Sequence, residues 1–309
     1  NIIWRLKRLI HKKYKSKMQF ICTSATIGNA KEFAELIFKE RFEEVRGEGA
    51  GCGEIEHILI SPEGESYTTV SLRVAEKLER KTLLFANSHS VVERLGMMAK
   101  RMGLSAGVYR AGLDPEKRRQ IESGFRSGAT RILATTSALE LGMDIGDVDA
   151  VILAGFPGTI TRVKQRIGRA GRKGQKAYGV YVARDNPLDQ YYYDNPSEYL
   201  NGEPENCFAN PANENIAKMH LLASAKDTLL GEDEARGKEE LVRPLVESGL
   251  LKKLGKFYFP TPSGIASVRS MGIRGIGKNI RIIDSDKEKQ IGEREFPMAV
   301  GELFEGALY

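Results

Sequence analysis

From residue 55 onward the chain alternates between short, almost wholly apolar runs and longer stretches whose apolar residues fall three or four apart. Side chains repeat every two residues on a strand and about every 3.6 on a helix, so the first kind reads as buried strand and the second as amphipathic helix. Strands are predicted over residues 55–60, 82–86, 106–109, 131–134, 150–154 and 178–182, and helices over 68–79, 91–100, 115–125 and 162–167. Ser88 stands where a helix N-cap belongs, and Asp114-Pro115 supplies a cap followed by proline at the first helical position. Apolar strands alternating with helices predict an α/β fold: a parallel sheet covered by helices on both faces. Such a sheet is expected to bind ligands at the carboxyl ends of its strands.

The flanks follow other patterns. Ile2, Ile3, Leu6, Leu9 and Ile10 mark an opening helix whose partners the pattern does not identify, and the basic run 11–17 reads as its solvated end. Residues 18–46 read as strand (18–23), helix (31–38, with Asn29 as N-cap) and strand (42–45), and Cys22 reads as a small buried residue of the first strand. The glycine-rich residues 47–53 suit a linker. After residue 186 comes a tyrosine-rich stretch read as irregular to 211, then helices at 213–224 and 238–248 and a short basic hairpin at 250–259 with Gly255 at its tip. Helices followed by such a hairpin point to a winged helix. Residues 279–284 and 290–300 alternate like strands of a β-domain that stops short.

A length of 309 residues implies two or three domains. The longest apolar runs fall far short of the ~20 residues a membrane span requires, so no membrane partner is expected. Lys plus Arg outnumber Asp plus Glu by 47 to 41, which permits a polyanionic partner without demanding one. Cys22, Cys52 and Cys207 are widely spaced, with no C-x-x-C pair and no histidine at ligand spacing. No metal site is therefore expected, and the cysteine usage fits a reducing, cytoplasmic compartment.

Four segments carry candidate chemistry. Gln165-Arg166-Ile167-Gly168-Arg169-Ala170-Gly171-Arg172-Lys173-Gly174 places Arg169 and Arg172 three apart at a helix end, where two guanidinium groups could converge on a phosphate. The competing reading is a solvent-facing basic turn. Ile132-Leu133-Ala134-Thr135-Thr136-Ser137 ends a strand in three hydroxyl residues, suited either to phosphate oxygens or to ordinary helix capping, and Glu140-Leu141-Gly142-Met143-Asp144 follows. Ser24-Ala25-Thr26 follows an apolar strand, and Tyr109-Arg110-Ala111-Gly112 precedes a capped helix.

Taken in order and at these separations, the segments resemble motifs III (Ser24 to Thr26), IVa (from Tyr109), V (from Ile132) and VI (from Gln165) of superfamily 2 helicases, with residues 82–88 standing as motif IV. Tyr109-Arg110-Ala111-Gly112, Gly158-Thr159-Ile160, Asp185-Asn186-Pro187-Leu188-Asp189-Gln190-Tyr191 and Asn210-Pro211-Ala212-Asn213 look like the mitomycin-repair (MrfA/YprA-like) family. The resemblance covers almost the whole chain, most strongly residues 82–213. It implies a C-terminal remnant of a first RecA-like domain (1–49), a second RecA-like domain (50–185), a connector and winged helix (186–270) and the start of a β-domain (271–309). By the same match Arg169 and Arg172 would meet the γ-phosphate of ATP, and Gly142, Asp144 and Gln165 would lie at the nucleotide. Ser24 and Thr26 would couple nucleotide state to strand binding, Thr136 would contact a nucleic-acid phosphate, and Arg110 and Gly112 would lie on the strand-binding surface.

The implied function is an ATP-dependent DNA helicase or translocase, 3′-to-5′, acting in repair on DNA with a single-stranded region. An RNA helicase of related build and a non-catalytic nucleic-acid-binding module are the alternatives. The phosphate-binding G-x-x-x-x-G-K-[ST] loop and the acidic D-E-x-[HD] motif are absent from these residues, so the first motor domain and the ligands of Mg²⁺ are expected before Asn1. Relatives also lead one to expect a cysteine-rich zinc domain after Tyr309 and a tryptophan where Lys164 stands. In the hairpin, Lys252, Lys253 and Lys256 are candidates for binding DNA, with Phe257 and Phe259 on one face anchoring it to the preceding helix. The competing reading is a charged edge that blocks strand-to-strand aggregation.

Overall fold

Along the chain, helices α1 (Ile2–Tyr14) and α2 (Ala30–Phe38) precede six strands: β1 (Ile55–Ile60), β2 (Thr82–Ala86), β3 (Ala106–Tyr109), β4 (Ile132–Thr135), β5 (Ala150–Ala154) and β6 (Ala177–Val182). All six form one sheet in the order β1-β6-β5-β2-β4-β3, and every neighbouring pair is parallel. Among them run α3 (Tyr67–Leu78), α4 (His89–Arg101), α5 (Pro115–Ser127) and α6 (Ile160–Ile167). The computed structural model describes all residues except 25, 48–52, 141–144, 173, 272–278, 287, 297–298, 300–302 and 304–309. The chain divides into two units, one of Ser24–Asn29 and Val45–Cys207, the other of Asn1–Thr23, Ala30–Glu44 and Phe208–Tyr309.

The period of two along each strand sorts the sheet into two cores. Leu83, Phe85, Leu133, Val151, Leu153 and Tyr181 pack with Phe125 of α5 and Ile160, Val163 and Ile167 of α6. Leu84, Ile132, Ile152, Val180 and Val182 face the other way, against Leu72 and Ala75 of α3 and Val92, Leu95 and Ala99 of α4. Each such buried Leu, Val, Ile or Phe contributes roughly 1.5–3 kcal/mol of transfer free energy, which holds both helical layers on the sheet. The predicted helix starts are met: Ser88 Oγ accepts from Val91 N–H (3.3 Å), and Asp114 accepts from Glu116 N–H (2.9 Å) with Pro115 beginning α5.

The stretch read as irregular contains two helices, α7 (Pro187–Asp194) and α8 (Pro196–Asn201). Each begins with proline at its first position, and Asn186 caps α7 by accepting from Asp189 N–H at 3.0 Å. The tyrosines obscured an ordinary start signal. Tyr199 and Tyr181 stack at 4.9 Å between centroids, so α8 closes one face of the sheet.

In the other unit, α9 (Glu214–Asp227), β7 (Leu230–Gly231), α10 (Glu232–Ala235), α11 (Glu239–Glu247), β8 (Leu251–Leu254), β9 (Phe257–Pro260) and α12 (Pro262–Arg269) follow in turn. They surround a core of Leu221, Leu222, Ala225, Leu230, Val242, Leu245 and Leu251. The hairpin β8–β9 gains a third strand from β7, giving the arrangement of a winged helix. The partners of the opening helix lie here: Arg5 of α1 grips Asp227 through two nitrogens (2.8 and 2.9 Å), and Arg8 binds Glu234 (2.7 Å) and the Ser224 carbonyl (2.8 Å). Lys12, read as part of a solvated end, also binds Glu234. β10 (Asn279–Asp284) and β11 (Lys289–Glu295) form an antiparallel hairpin.

Further expectations fail outside the six-stranded sheet. Residues 18–23 and 42–45 are not strands; Ile21 is 83% and Val45 90% exposed, and no described strand runs beside them to complete a ladder. An apolar run without a neighbour has no partner for its backbone N–H and C=O groups, so it does not form a strand. Cys22 is accordingly exposed rather than buried. Phe257 and Phe259 do not anchor the wing: Tyr258 packs on the core, whereas Phe257 is 44% exposed. Alternation along β9 puts Tyr258 inward and sends the two phenylalanines to the opposite face.

Candidate functional site

Helix α6 organises the site. Thr159 caps it by accepting from Arg162 N–H at 3.1 Å, and its buried stripe runs Ile160, Val163, Arg166, Ile167. Arg166 is the anomaly, a guanidinium only 2% exposed in an otherwise apolar row. A buried charge must be paired, and Glu140 meets it, with Nε to Oε1 at 2.6 Å. Another Arg166 nitrogen donates to Asn87 Oδ1 (3.1 Å), the guanidinium lies over the Phe85 ring (5.1 Å), and Asn87 donates onward to the Phe156 carbonyl (2.7 Å). Burial lowers the Arg166 pKa, with Glu140 opposing that shift. This network ties the residues after β2, β4 and β5 to α6. The sequence reading missed it, although an arginine in phase with an apolar stripe was a usable signal.

Arg169 and Arg172 lie just beyond α6. A crossover helix runs antiparallel to the strands it joins, so its C-terminus reaches the opposite edge of the sheet from its start. Gly171 N–H donates to the Val148 carbonyl (3.1 Å) ahead of β5, and Gly53 N–H ahead of β1 donates to the Gly171 carbonyl (2.9 Å). Arg110 and Thr136 follow β3 and β4 at their carboxyl ends, while the backbone at Gly171, between Arg169 and Arg172, reaches the residues that precede β5 and β1.

One terminal nitrogen of Arg169 donates to the Glu140 carbonyl, and its Nε is buried with no hydrogen-bond partner among the described residues. Burial lowers the Arg169 pKa and the nearby charge of Arg172 lowers it further, against Glu140. The charges of Arg169 and Arg172 thus lie close enough to repel, and the buried Arg169 Nε has no acceptor among the described residues. Arg172 is exposed, its Nε donating to the Gly168 carbonyl at 3.2 Å.

Gln165 Nε2 donates to Thr26 Oγ1 (2.9 Å), and Thr161 Oγ1 donates to the Thr26 carbonyl (3.4 Å), so the segment at residue 26 lies against α6. Ser24 Oγ accepts from Thr26 N–H (3.3 Å) and shapes the same turn. Thr136 is 6% exposed at the cap position of a 3₁₀ turn (Ser137–Leu139), but its side chain makes no capping hydrogen bond. Arg110 is engaged with Glu93 (2.6 Å) and the Ala111 carbonyl (3.2 Å), and Gly112 adopts φ +82°, which favours glycine. Neither Arg110 nor Gly112 joins the α6 cluster. Gly142 and Asp144 lie outside the described residues. Lys252, Lys253 and Lys256 belong to the other unit, where Lys253 pairs with Glu232 at 2.9 Å.

Among the described residues no three His, Cys, Asp or Glu side chains gather as a metal site, and no helix is long and apolar enough to cross a membrane. Residues 67–174 match the helicase conserved C-terminal domain. An uncharacterized ATP-dependent helicase of Bacillus subtilis, YprA, is 32% identical over all of this chain, which spans 44% of that relative's length. The crystal structure of the DUF1998 helicase MrfA bound to DNA superposes with a TM-score of 0.82 at 31% identity, covering 100% of this chain and 44% of that one. A second MrfA structure, bound to DNA and AMPPNP, gives 0.81 at 32% identity over 96% of this chain and 45% of that one. With its six-stranded parallel sheet, its helicase motifs in order and these likenesses along nearly all of its own residues, the chain belongs to the superfamily 2 helicases of the MrfA/YprA type.

Proposed function

We propose that this chain supplies the second motor lobe of an ATP-driven DNA helicase or translocase that moves 3′-to-5′ in DNA repair in the cytoplasm. The observation that carries the reading is Arg169, whose buried Nε lacks a partner among the described residues, beside the charge of Arg172. A phosphate oxygen is the partner such a site fits, and an arginine at the γ-phosphate stabilises the charge of the transferring phosphoryl group. ATP would supply the transferable phosphoryl group and the free energy of its hydrolysis. Arg169 and Arg172 would hold its terminal phosphate, and Gln165, Gly142 and Asp144 would bind the rest of the nucleotide. The ligands of its Mg²⁺ would come from a first motor lobe outside these residues. Residues 50–185 would form the motor lobe, 1–49 part of the first lobe, 186–270 the connector and winged helix, and 271–309 part of a β-domain.

Closure of the two lobes on ATP would grip a single strand mainly by its phosphates, and hydrolysis would release the grip. Thr136, with no capping bond to break, is suited to a strand phosphate. Ser24 and Thr26 would pass nucleotide state to the strand through the bond from Gln165 to Thr26. Arg110 and Gly112 would border the strand path. DNA is favoured over RNA because MrfA is bound to DNA in its crystal structures.

Two measurements test this reading. The 309-residue chain alone, holding the arginines but neither the phosphate loop nor the acidic motif, is expected to release no phosphate from ATP with or without DNA. Turnover above ~0.1 per second, within a decade or so of ordinary enzymes, would contradict the assignment of the chemistry to two lobes. In the full-length protein, single-stranded DNA is expected to stimulate hydrolysis; stimulation only by RNA would identify an RNA helicase instead, through its requirement for the 2′-hydroxyl.

The wing is proposed to touch DNA through Lys252 and Lys256, with Lys253 contributing only after release from Glu232. Lys252→Ala with Lys256→Ala should weaken duplex binding equally for any sequence and flatten the slope of log K against log salt by roughly 0.9 for each phosphate no longer neutralised. Unchanged affinity and slope, with more aggregation, would make these lysines protectors of the β8 edge.

A further inference from the structure

Residues 203–207, between α8 and α9, have no regular secondary structure, yet they hold two other segments at once. On one side the Glu205 carboxylate accepts the first two amides of α6, from Ile160 (2.6 Å) and Thr161 (2.8 Å), and Glu205 N–H donates back to Thr161 Oγ1 (3.1 Å). A helix leaves its first amides without internal acceptors. Thr159 takes Arg162 N–H, so between them Thr159 and Glu205 satisfy the amides of Ile160, Thr161 and Arg162. A carboxylate is also the charge that a helix N-terminus favours. Burial raises the Glu205 pKa, but the bonds from Thr161 and Ile160 outweigh it and the net shift is downward.

On the other side the same residues hold the segment that carries Thr26. Gly28 N–H donates to the Glu205 carbonyl (3.3 Å), while the Asn29 side chain donates to the Cys207 carbonyl (3.0 Å) and accepts from Cys207 N–H (2.8 Å). That use of its amide replaces the capping role expected of Asn29. A Cβ at Gly28 would lie 2.6 Å from both the Pro204 carbonyl and Asn206 Oδ1, an approach that glycine alone allows. The two sides meet in Thr161, which bonds both Glu205 and Thr26.

We propose that residues 203–207 form a clasp that fixes the Ser24–Asn29 segment against the first turn of α6, making Glu205 and Asn29 positioning residues for the coupling of DNA binding to ATP hydrolysis. The inference rests on reading α6 and Thr26 as parts of an ATP-driven motor. A simple helix cap would account for the Glu205 carboxylate, but not for the backbone and side-chain bonds to Gly28 and Asn29.

The test compares Glu205→Ala, Glu205→Gln and Gly28→Ala with the wild type. In the 309-residue chain, amide exchange at Ile160 and Thr161 should rise in Glu205→Ala by roughly five- to tenfold, the factor that loss of a capping acceptor produces, and exchange at Gly28, whose acceptor is the backbone carbonyl that alanine keeps, should rise with it as the clasp loosens. In the full-length protein, the ratio of ATP hydrolysis with single-stranded DNA to that without should fall at least about fivefold, the low end of typical site-to-site coupling. The DNA-free rate and the KM for ATP should stay as in the wild type. Glu205→Gln, which keeps one acceptor, should fall between, and Gly28→Ala should reproduce the loss of stimulation by pushing the clasp away. Unchanged exchange, or raised exchange with full DNA stimulation, would overturn the clasp while leaving the motor reading intact. A wild-type protein that hydrolyses no ATP would remove the motor reading and the clasp's role together.

Discussion

Arg169→Ala in the full-length protein is expected to lower DNA-stimulated kcat by roughly 10³-fold or more, the range of an arginine supplied to a transferring phosphoryl group, while ATP binding weakens much less. The side chain fits the role because it is half-buried, fixed by the Glu140 carbonyl and, among the described residues, left without a partner for its Nε. Arg172→Ala should act in the same direction, because Arg172 adds the second charge. Arg169→Lys should not restore full activity: an ammonium cannot both keep the bond to the Glu140 carbonyl and present a planar fork to phosphate. Steady-state hydrolysis at saturating DNA, with nucleotide binding measured separately, checks this. A near-normal kcat in both alanine variants would reduce the cluster to a basic turn.

Glu140→Ala is expected to have the largest effect on stability. It would leave Arg166, 2% exposed, with Asn87 as its remaining side-chain acceptor among the described residues. Removing one partner of a buried ion pair costs about 3–5 kcal/mol, because the surviving charge stays desolvated. At about 2–4 °C per kcal/mol for a unit of this size, Tm should fall by ~6–20 °C. The double replacement Glu140→Leu with Arg166→Met should recover much of that loss, since no charge is stranded, yet leave hydrolysis impaired because α6 loses its ties to Asn87 and Glu140. Thermal unfolding of the 309-residue chain decides it. A change in Tm below ~3 °C for Glu140→Ala would mean that water reaches Arg166.

The parallel sheet was legible because each strand is a short apolar run bounded by a capped helix, and neither signal depends on distant residues. The runs at 18–23 and 42–45 carry the same local signal and form no strand, because a strand is completed by its neighbour. The two cores and the starts of α4 and α5 were readable, and so was the winged arrangement from its hairpin. The direction in which Phe257 and Tyr258 face was not, because it depends on which side of β9 the core lies. In the candidate site, Arg169 and Arg172 stood out by spacing, but the bond from Arg169 to the Glu140 carbonyl spans 29 positions. Gln165 and Thr26 were singled out through family resemblance, and their bond spans 139 positions. The Arg166–Glu140–Asn87 network and the Glu205 clasp depend on pairings between segments far apart in sequence, which no local pattern encodes.

The measurement that bears most directly on the central claim is strand displacement by the full-length protein on a duplex with a 3′ single-stranded tail, followed with ATP, with AMPPNP and without nucleotide. The account predicts displacement with ATP only, abolished by Arg169→Ala, and absent on a duplex carrying only a 5′ tail. Binding of the tailed duplex with neither displacement nor ATP hydrolysis would contradict it and identify a non-catalytic nucleic-acid-binding protein.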